Sequence, residues 1–177
     1  MNLRRIEGTW SDKEHLEAIN PHLWTRDDGF TNNCGNCTVA NELRHQGYDV
    51  EAKPGIGMSI ESLAGMFDGA KVQNAAELSA TEDAHEMISK IEQDVLAWGE
   101  GARGAIRGKW SWKDDNKAGH LFSLKIRNGV VKYDDGQINK EGVKHLERMK
   151  PQSIQYVRLD NTTPNDKIIA AVKNRRP

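Results

Sequence analysis

The sequence has few cysteines, almost no net charge and no long apolar run. Only two of its 177 residues are cysteines, too few for a disulfide framework, which favours a reducing compartment at the site of action. The formal net charge of −1 gives no reason to expect binding to nucleic acid or to an anionic membrane. No apolar stretch approaches the roughly 20 residues that span a bilayer, and none follows the N-terminal residues. Neither membrane insertion nor a signal peptide is therefore expected.

The remaining features indicate one α+β domain. A length of 177 residues is enough for one buried core, and we expect a single domain with residues 1–19 as an N-terminal extension and 20–160 as the core. Helical periodicity dominates the first half, where the longest helix is predicted from Ser79 or Thr81 to about Trp98. Helices followed by an antiparallel sheet favour the α+β class.

A β-hairpin is predicted in the second half of the chain. After a polar loop over 113–119, residues 120–126 alternate in polarity, and Asn128-Gly129 is a strong hairpin turn signal. The chain returns antiparallel and ends in the corner Asp134-Asp135-Gly136-Gln137. A further helix is expected over 139–149.

Both cysteines lie where a polar loop turns into a helix. Asparagines such as Asn33 are good N-cap residues, Cys34 and Cys37 follow, and Gly47 is the expected helix stop. A thiol at a helix N-terminus faces unpaired N–H groups and the positive end of the helix dipole, and both favour the thiolate. The stretch therefore predicts a nucleophilic cysteine.

The hairpin supplies a candidate base and acid. In an Asn-Gly hairpin the start of one strand lies beside the end of its partner, so His120 is expected close to Asp134 and Asp135. A carboxylate there could orient the imidazole while the other ring nitrogen faces a thiol. Strand parity favours Asp135 for this contact and directs Asp134 to solvent with Lys132.

Each of these residues also has a structural interpretation. Either cysteine could be a small core residue, His120 could be a satisfied core histidine, and the two aspartates could cap the turn. Cys-Gly-Asn-Cys has thiol-redox spacing without the expected βαβ context, and a zinc site lacks a second Cys/His pair. The other five histidines are expected at the solvated surface: His15, His22, His45, His85 and His145.

Taken in order, several stretches resemble the papain-fold toxin domains of the glutamine deamidase type, which occur in bacterial polymorphic toxins and phage MuF-type proteins. The matching stretches and residues, within residues 20–140, are Asn20-Pro21, Asn33-Cys34, Cys37, Ala40, Glu42-Leu43-Arg44, Gly47-Tyr48-Asp49-Val50, Ala52, Gly101-Ala102-Arg103-Gly104, Gly119-His120, Phe122, Asn128-Gly129 and Asp135-Gly136-Gln137. The resemblance implies a papain-like cysteine hydrolase fold, in which the helix that begins at the catalytic cysteine packs on an antiparallel sheet carrying the histidine and the aspartate.

The resemblance implies a triad of Cys34, His120 and Asp135, with Gln137 as an auxiliary polar group and no metal or cofactor. Asp134 lies one residue off the family pattern and stays an alternative.

Which cysteine reacts stays open at this point. Papain proteases carry a Cys-Gly-Ser-Cys stretch whose second cysteine reacts, which would favour Cys37. The spacing from Cys34 to the end of its helix is closer to that of bacterial papain-like hydrolases, and we prefer Cys34. The oxyanion is expected at the backbone N–H of the nucleophile and at a side-chain amide from Asn32 or Asn33. Arg107, on the neighbouring strand, is a candidate substrate contact.

We therefore expect a toxin that converts a glutamine of a target protein to glutamate through a thioester. A cysteine protease or transglutaminase of the same fold would need the same residues. A non-catalytic binding module of a phage or secretion structure is the alternative from another class. The resemblance also implies delivery by a secretion system or phage, action in the target cytoplasm, and a cognate immunity protein as partner. The sequence does not predict the oligomeric state.

Overall fold

The computed structural model describes residues 2–25, 27–114 and 118–176, so part of the loop predicted over 113–119 lies outside the described residues. The helices are α1 (Asp12–Ile19), α2 (Cys34–His45), α3 (Ile60–Ala64) and α4 (Ala84–Leu96). The strands are β1 (Val50–Ala52), β2 (Phe67–Asp68), β3 (Gln73–Asn74), β4 (Arg103–Lys109), β5 (Gly119–Arg127), β6 (Val130–Asp135), β7 (Lys140–Glu141), β8 (Gln155–Arg158), β9 (Thr163–Pro164) and β10 (Val172–Asn174). Short 3₁₀ helices occur between several of these elements.

A six-stranded antiparallel sheet in the order β3-β8-β4-β5-β6-β7 forms the centre of the molecule. β5 and β6 are joined at Asn128 and Gly129, whose φ angles of 54° and 72° are both in the left-handed region that this hairpin turn requires. The predicted hairpin and the α+β class are confirmed. Because β5 pairs with β6 through Ser123 and Asp134, the start of β5 lies near the acidic end of β6.

Both faces of the central strand β5 are buried. Successive side chains of a strand point to opposite faces, and neighbouring residues therefore join different clusters. Leu121 packs in the cluster that contains the apolar residues of α1 and α2, whereas Phe122 packs in the cluster that contains those of α4. α4 begins at Ala84, after the N-cap Asp83, and not at Ser79 or Thr81 as predicted.

Part of the segment before α2 packs against the core. Ser11 caps α1 in a capping box, and Leu16 and Ile19 are buried in the same cluster as α2. The division into an extension and a core stays a prediction. Within the described ranges, α1 to α4 and the shorter helices all fall short of the length and apolar character that a membrane span requires.

The prediction of a helix over 139–149 is wrong. These residues form β7 and a 3₁₀ helix at His145–Arg148. Asn139 and Gly142 have φ angles of 55° and 65°, which a right-handed helix cannot contain. The resulting bend carries the chain back across the end of the sheet and places His145 beside β5.

Candidate active site

The cleft at the end of the sheet has Cys34 on one side and His120 on the other. Cys34 is the first residue of α2, with Asn33 as the N-cap. Gly35 lets the loop after β1 approach the helix, because a Cβ at this position would lie only 2.4 Å from the Cβ of Met58. The cleft has a volume of about 560 Å³, and both Cys34 and His120 line it.

His120 is held by a carboxylate from the neighbouring strand. Its Nε2 lies 2.6 Å from Oδ2 of Asp135, which is buried. The other oxygen of Asp135 accepts the backbone N–H of Gln137 at 3.0 Å. With Nε2 engaged in this way, Nδ1 is the nitrogen left to face the thiol. The structure therefore brings together the histidine and the aspartate that parity selected.

Hydrogen bonds in this cluster oppose the effect of burial on each group. Burial would raise the pKa of the Cys34 thiol, but hydrogen bonds with His120 and the Leu121 backbone lower it. Burial would lower the pKa of His120, but the bonds to Asp135 and Cys34 raise it to about 9. Burial would raise the pKa of Asp135, but the bonds from His120 and His145 lower it to about 2. The arrangement favours a thiolate beside an imidazolium at neutral pH.

The sequence comparison agrees with this geometry. The family model described as papain fold toxin 1, glutamine deamidase, matches residues 32–140, the span that holds Cys34, His120 and Asp135. The chain belongs to this papain-fold toxin family.

One solved structure extends the comparison to the fold. A variant of the Salmonella effector SpvD superposes with a TM-score of 0.52 at 12% identity, over 88% of this chain and 81% of that chain. At this identity the likeness shows a shared fold alone. No curated protein gives a significant match.

Cys37, the alternative nucleophile, lies away from the cleft. It is 1% exposed and packs in the cluster between α1, α2 and the sheet. Burial raises the pKa of its thiol well above the ordinary value, and the nearby Asp135 and Cys34 raise it further. These surroundings suit a small core residue. The role of Cys34 as nucleophile stays a prediction, but Cys34 is the cysteine that the fold brings to His120.

Asp134, the alternative acid, points to the opposite face of the sheet, as parity predicts, but it is not solvated. Its Oδ2 lies 2.8 Å from Nζ of Lys125, and its Oδ1 accepts the backbone N–H of Gly142 at 3.2 Å. Asp12 of α1 contacts the same Lys125 at 3.1 Å. The prediction that Asp134 points into solvent is wrong because α1 covers this part of the sheet.

The side-chain amide of Asn33, one of the two candidate oxyanion donors, is already hydrogen-bonded within the protein. Its buried Nδ2 donates to Oδ1 of Asn20 at 3.2 Å and to the carbonyl of Lys53 at 3.1 Å. Both amide hydrogens are thereby used to hold the loop, so the side chain of Asn33 cannot serve a substrate without breaking these bonds. Asn32 lines the cleft beside Cys34 and is the better placed of the two asparagines.

Gln137 and Arg107 both line the cleft. Nε2 of Gln137 donates to the carbonyl of Thr31 at 2.6 Å, which ties the corner after β6 to the loop that precedes α2. The guanidinium of Arg107 lies against Gly119, where an added Cβ would be 2.8 Å from Nη2 of Arg107. Arg107 therefore stays a candidate substrate contact, and Gln137 has a structural role as well as its place on the cleft.

Sequence reasoning missed His145. It was expected at the solvated surface, but it is half-buried and its Nε2 lies 2.8 Å from the same Oδ2 of Asp135 that binds His120. The turn-forming residues Asn139 and Gly142 are the signal that could have argued against a helix here.

An aromatic stack completes the surroundings of His120. Trp110 stacks with the ring at a centroid distance of 5.7 Å, and Phe122 stacks with it at 6.0 Å. Trp112, more than half exposed, stacks on Trp110 at 4.7 Å. Aromatic faces beside an imidazolium favour the charged form and limit the access of water.

Three ligand-type atoms of His120, Asp135 and His145 lie within 4.8 Å of one another, a spacing that a metal site could also have. Hydrogen bonds of 2.6 and 2.8 Å account for this spacing without an ion. We therefore interpret the cluster as a hydrogen-bonded network.

Proposed function

We propose that this protein is a cysteine-dependent amidohydrolase that deamidates glutamine side chains of a target protein. The observation that carries the proposal is the continuous chain of contacts from Asp135 through His120 to Cys34, which ends on an open cleft. Membership of a papain-fold toxin family with glutamine deamidases supports the same reaction.

The proposed reaction has two stages. The Cys34 thiolate attacks the carboxamide carbon of glutamine, and the oxyanion that forms accepts hydrogen bonds at the helix N-terminus. His120 passes its proton to the departing nitrogen, which leaves as ammonia, and a thioester remains. Water then attacks the thioester as His120 takes up a proton, and glutamate and free thiol are released. Asp135 holds the ring and stabilises the imidazolium throughout.

The cleft walls are consistent with a polypeptide substrate. Its lining is mostly small or uncharged polar, as in Thr31, Asn32 and Ser59, with Arg107 and the ring of Trp110 among the larger groups. Ile56, which is 99% exposed, stands at the rim. We propose that a flexible segment of the target lies across this rim and presents one glutamine to Cys34.

The decisive experiment is mass spectrometry of glutamine-containing proteins after incubation with the enzyme, together with an assay for ammonia. We expect one glutamine to be converted to glutamate with release of ammonia. The mass of the substrate protein should not change when it is incubated with Cys34→Ala. A cut in the polypeptide chain would identify a protease, and a glutamine-to-lysine cross-link would identify a transglutaminase. A chain that reacts with no protein while its thiol alkylates normally would argue against deamidation.

We further propose that the protein is delivered by a secretion system or phage and acts in the cytoplasm of a target cell, with an immunity protein as its partner in the producer. Inducible expression in candidate host cells tests the toxicity, since Cys34→Ala should relieve it. Equal growth inhibition by both forms would separate toxicity from the chemistry of the thiol.

A further inference from the structure

The carboxylate of Asp135 serves three donors. His120 and His145 both place Nε2 on Oδ2, at 2.6 and 2.8 Å, and Gln137 donates its backbone N–H to Oδ1. One oxygen atom therefore accepts from two imidazoles. His145 also lies outside residues 32–140, the span matched by the family model, so the triad alone does not account for it.

The ring of His145 is fixed by packing as well as by this bond. It stands edge-on to His120 with centroids 5.1 Å apart and planes at 86°. The same edge-on geometry holds against Phe122 at 5.1 Å and Trp110 at 5.5 Å. His145 is thus held against the edge of the stack that contains His120, and its Nε2 is directed at Asp135.

We propose that His145 is a positioning residue that shares the Asp135 carboxylate with His120 and so limits how strongly that carboxylate holds the imidazolium. An acceptor that serves two donors divides its negative charge between them, which weakens each interaction. The imidazolium must give up its proton to the leaving nitrogen, and a carboxylate devoted to His120 alone would retain that proton more firmly. The catalytic consequence rests on the proposed function, whereas the sharing of the carboxylate does not.

Within the part of the chain that the structure describes, the titratable groups that face His120 are Cys34 from α2, Asp135 from β6 and His145 from the 3₁₀ helix, and Arg107 lines the same cleft. The rings of Trp110 and Phe122 that stack with it are neutral. A change at His145 therefore alters one partner of Asp135 and leaves the thiol and the arginine in place.

The test follows the loss of the His120 proton by NMR in the full chain labelled at histidine. His145→Phe keeps an aromatic ring and removes the donor, whereas His145→Gln keeps an N–H that can reach Asp135. We expect His120 to lose its proton at higher pH in His145→Phe, by roughly half a pH unit or more, and close to the wild-type pH in His145→Gln. His85→Phe, on the exposed face of α4, is the matched control and should change nothing.

An unchanged or lower titration pH for His120 in His145→Phe would overturn the inference. If His145→Phe does not fold, His145→Asn makes the same test, because its amide is too short to reach Asp135. Turnover by His145→Phe should fall while KM stays near the wild-type value, and His145→Gln should restore it. A titration shift without any deamidation would leave the sharing of Asp135 intact and remove only the proposed function. Deamidation without a titration shift would leave the proposed function intact and overturn the sharing of Asp135.

Discussion

The two ends of α2 lie beside histidine pairs with similar ring separations, but one histidine of each pair has its pKa shifted in the opposite direction. At the N-terminal end, beside Cys34, the rings of His120 and His145 lie 5.1 Å apart; at the C-terminal end, the rings of His15 and His45 lie 5.0 Å apart. All four residues are half-buried. Yet the pKa of His120 is raised to about 9 and that of His45 is lowered to about 3.

The partner, and not the degree of burial, accounts for this difference. Burial lowers the pKa of both rings, as it does for any cation. His120 has the carboxylate of Asp135 at 2.6 Å, which reverses the effect, whereas the guanidinium of Arg103 lowers the pKa of His45 further. The C-terminal end of a helix dipole would favour a charged His45, but burial and Arg103 outweigh it. Burial beside the Asp135 carboxylate therefore favours the charged form of His120, whereas burial beside Arg103 favours the neutral form of His45.

We expect the largest loss of activity from removal of the Cys34 thiol at the N-terminal end of α2. We predict that Cys34→Ala abolishes deamidation and toxicity while the fold persists, because no other described residue can replace the nucleophile in this cleft. Cys37→Ala should keep activity and lose about 1–2 kcal/mol of unfolding free energy, since only packing changes. Ammonia release and urea unfolding measure the two effects. Activity that survives in Cys34→Ala and disappears in a folded Cys37→Ala would reverse the assignment.

Removal of the buried acceptor should make the N-terminal pair resemble the C-terminal one. We predict that Asp135→Asn lowers turnover by about 10³- to 10⁴-fold with little change in KM, because the ring loses its orientation and its countercharge. His120 should then titrate well below 9.

Asp134→Asn is the control for this prediction. It should retain turnover but reduce stability, because Asp134 is paired with the buried Lys125. Similar loss of turnover in both variants would mean that the acidic corner acts as a whole and that parity has no role.

The sequence allowed the reactive end to be predicted because its signals are local. Asn128-Gly129 fixes the hairpin, the hairpin register brings His120 to the acidic corner, and the alternation of strand side chains selects Asp135. A reactive cysteine follows from the place of Cys34 and Cys37 at a helix start, and the preference for Cys34 rested on the resemblance to bacterial papain-like hydrolases. None of these steps needs knowledge of distant parts of the chain.

The rest depended on contacts between segments far apart in sequence. His145 reaches Asp135 only because the backbone bends at Asn139 and Gly142, where a regular helix had been predicted. His45 is buried beside Arg103, which pairs with Glu42 from a different element, and residue type and spacing say nothing of that neighbour. The burial of Asp134 likewise follows from the docking of α1.

Burial of His45 at the C-terminal end of α2 should make the stability of the fold depend on pH. The pKa of His45 is about 3 in the folded protein, against an ordinary value of 6.5, so the unfolded chain takes up a proton that the folded one refuses. Stability is therefore lost as the pH falls from 6.5 towards 3, by up to about 1.4 kcal/mol per pH unit.

His45→Gln should remove this loss and flatten the dependence, as measured by urea unfolding across that range. The exposed His85→Gln should follow the wild type. For His120 the sign is opposite: its contribution is complete below pH 6.5 and is lost as the pH rises through about 9. An equally steep acid loss in His45→Gln would place its cause elsewhere.

The smallest expected effect concerns the neighbour of His45. Burial and Arg103 lower the pKa of His45 more than His15 does, so His15→Gln should raise it by only a small fraction of a pH unit. Among the described residues, Nδ1 of His15 is buried without a hydrogen-bond partner, and none provides an acceptor that these two rings share as His120 and His145 share Asp135. NMR titration of His45 measures the change, with His120 as the internal reference that should not move. A shift of a full pH unit in the titration of His45 would mean that His15 and His45 are strongly coupled. The low pKa of His45 would then depend on His15 as well as on burial and Arg103.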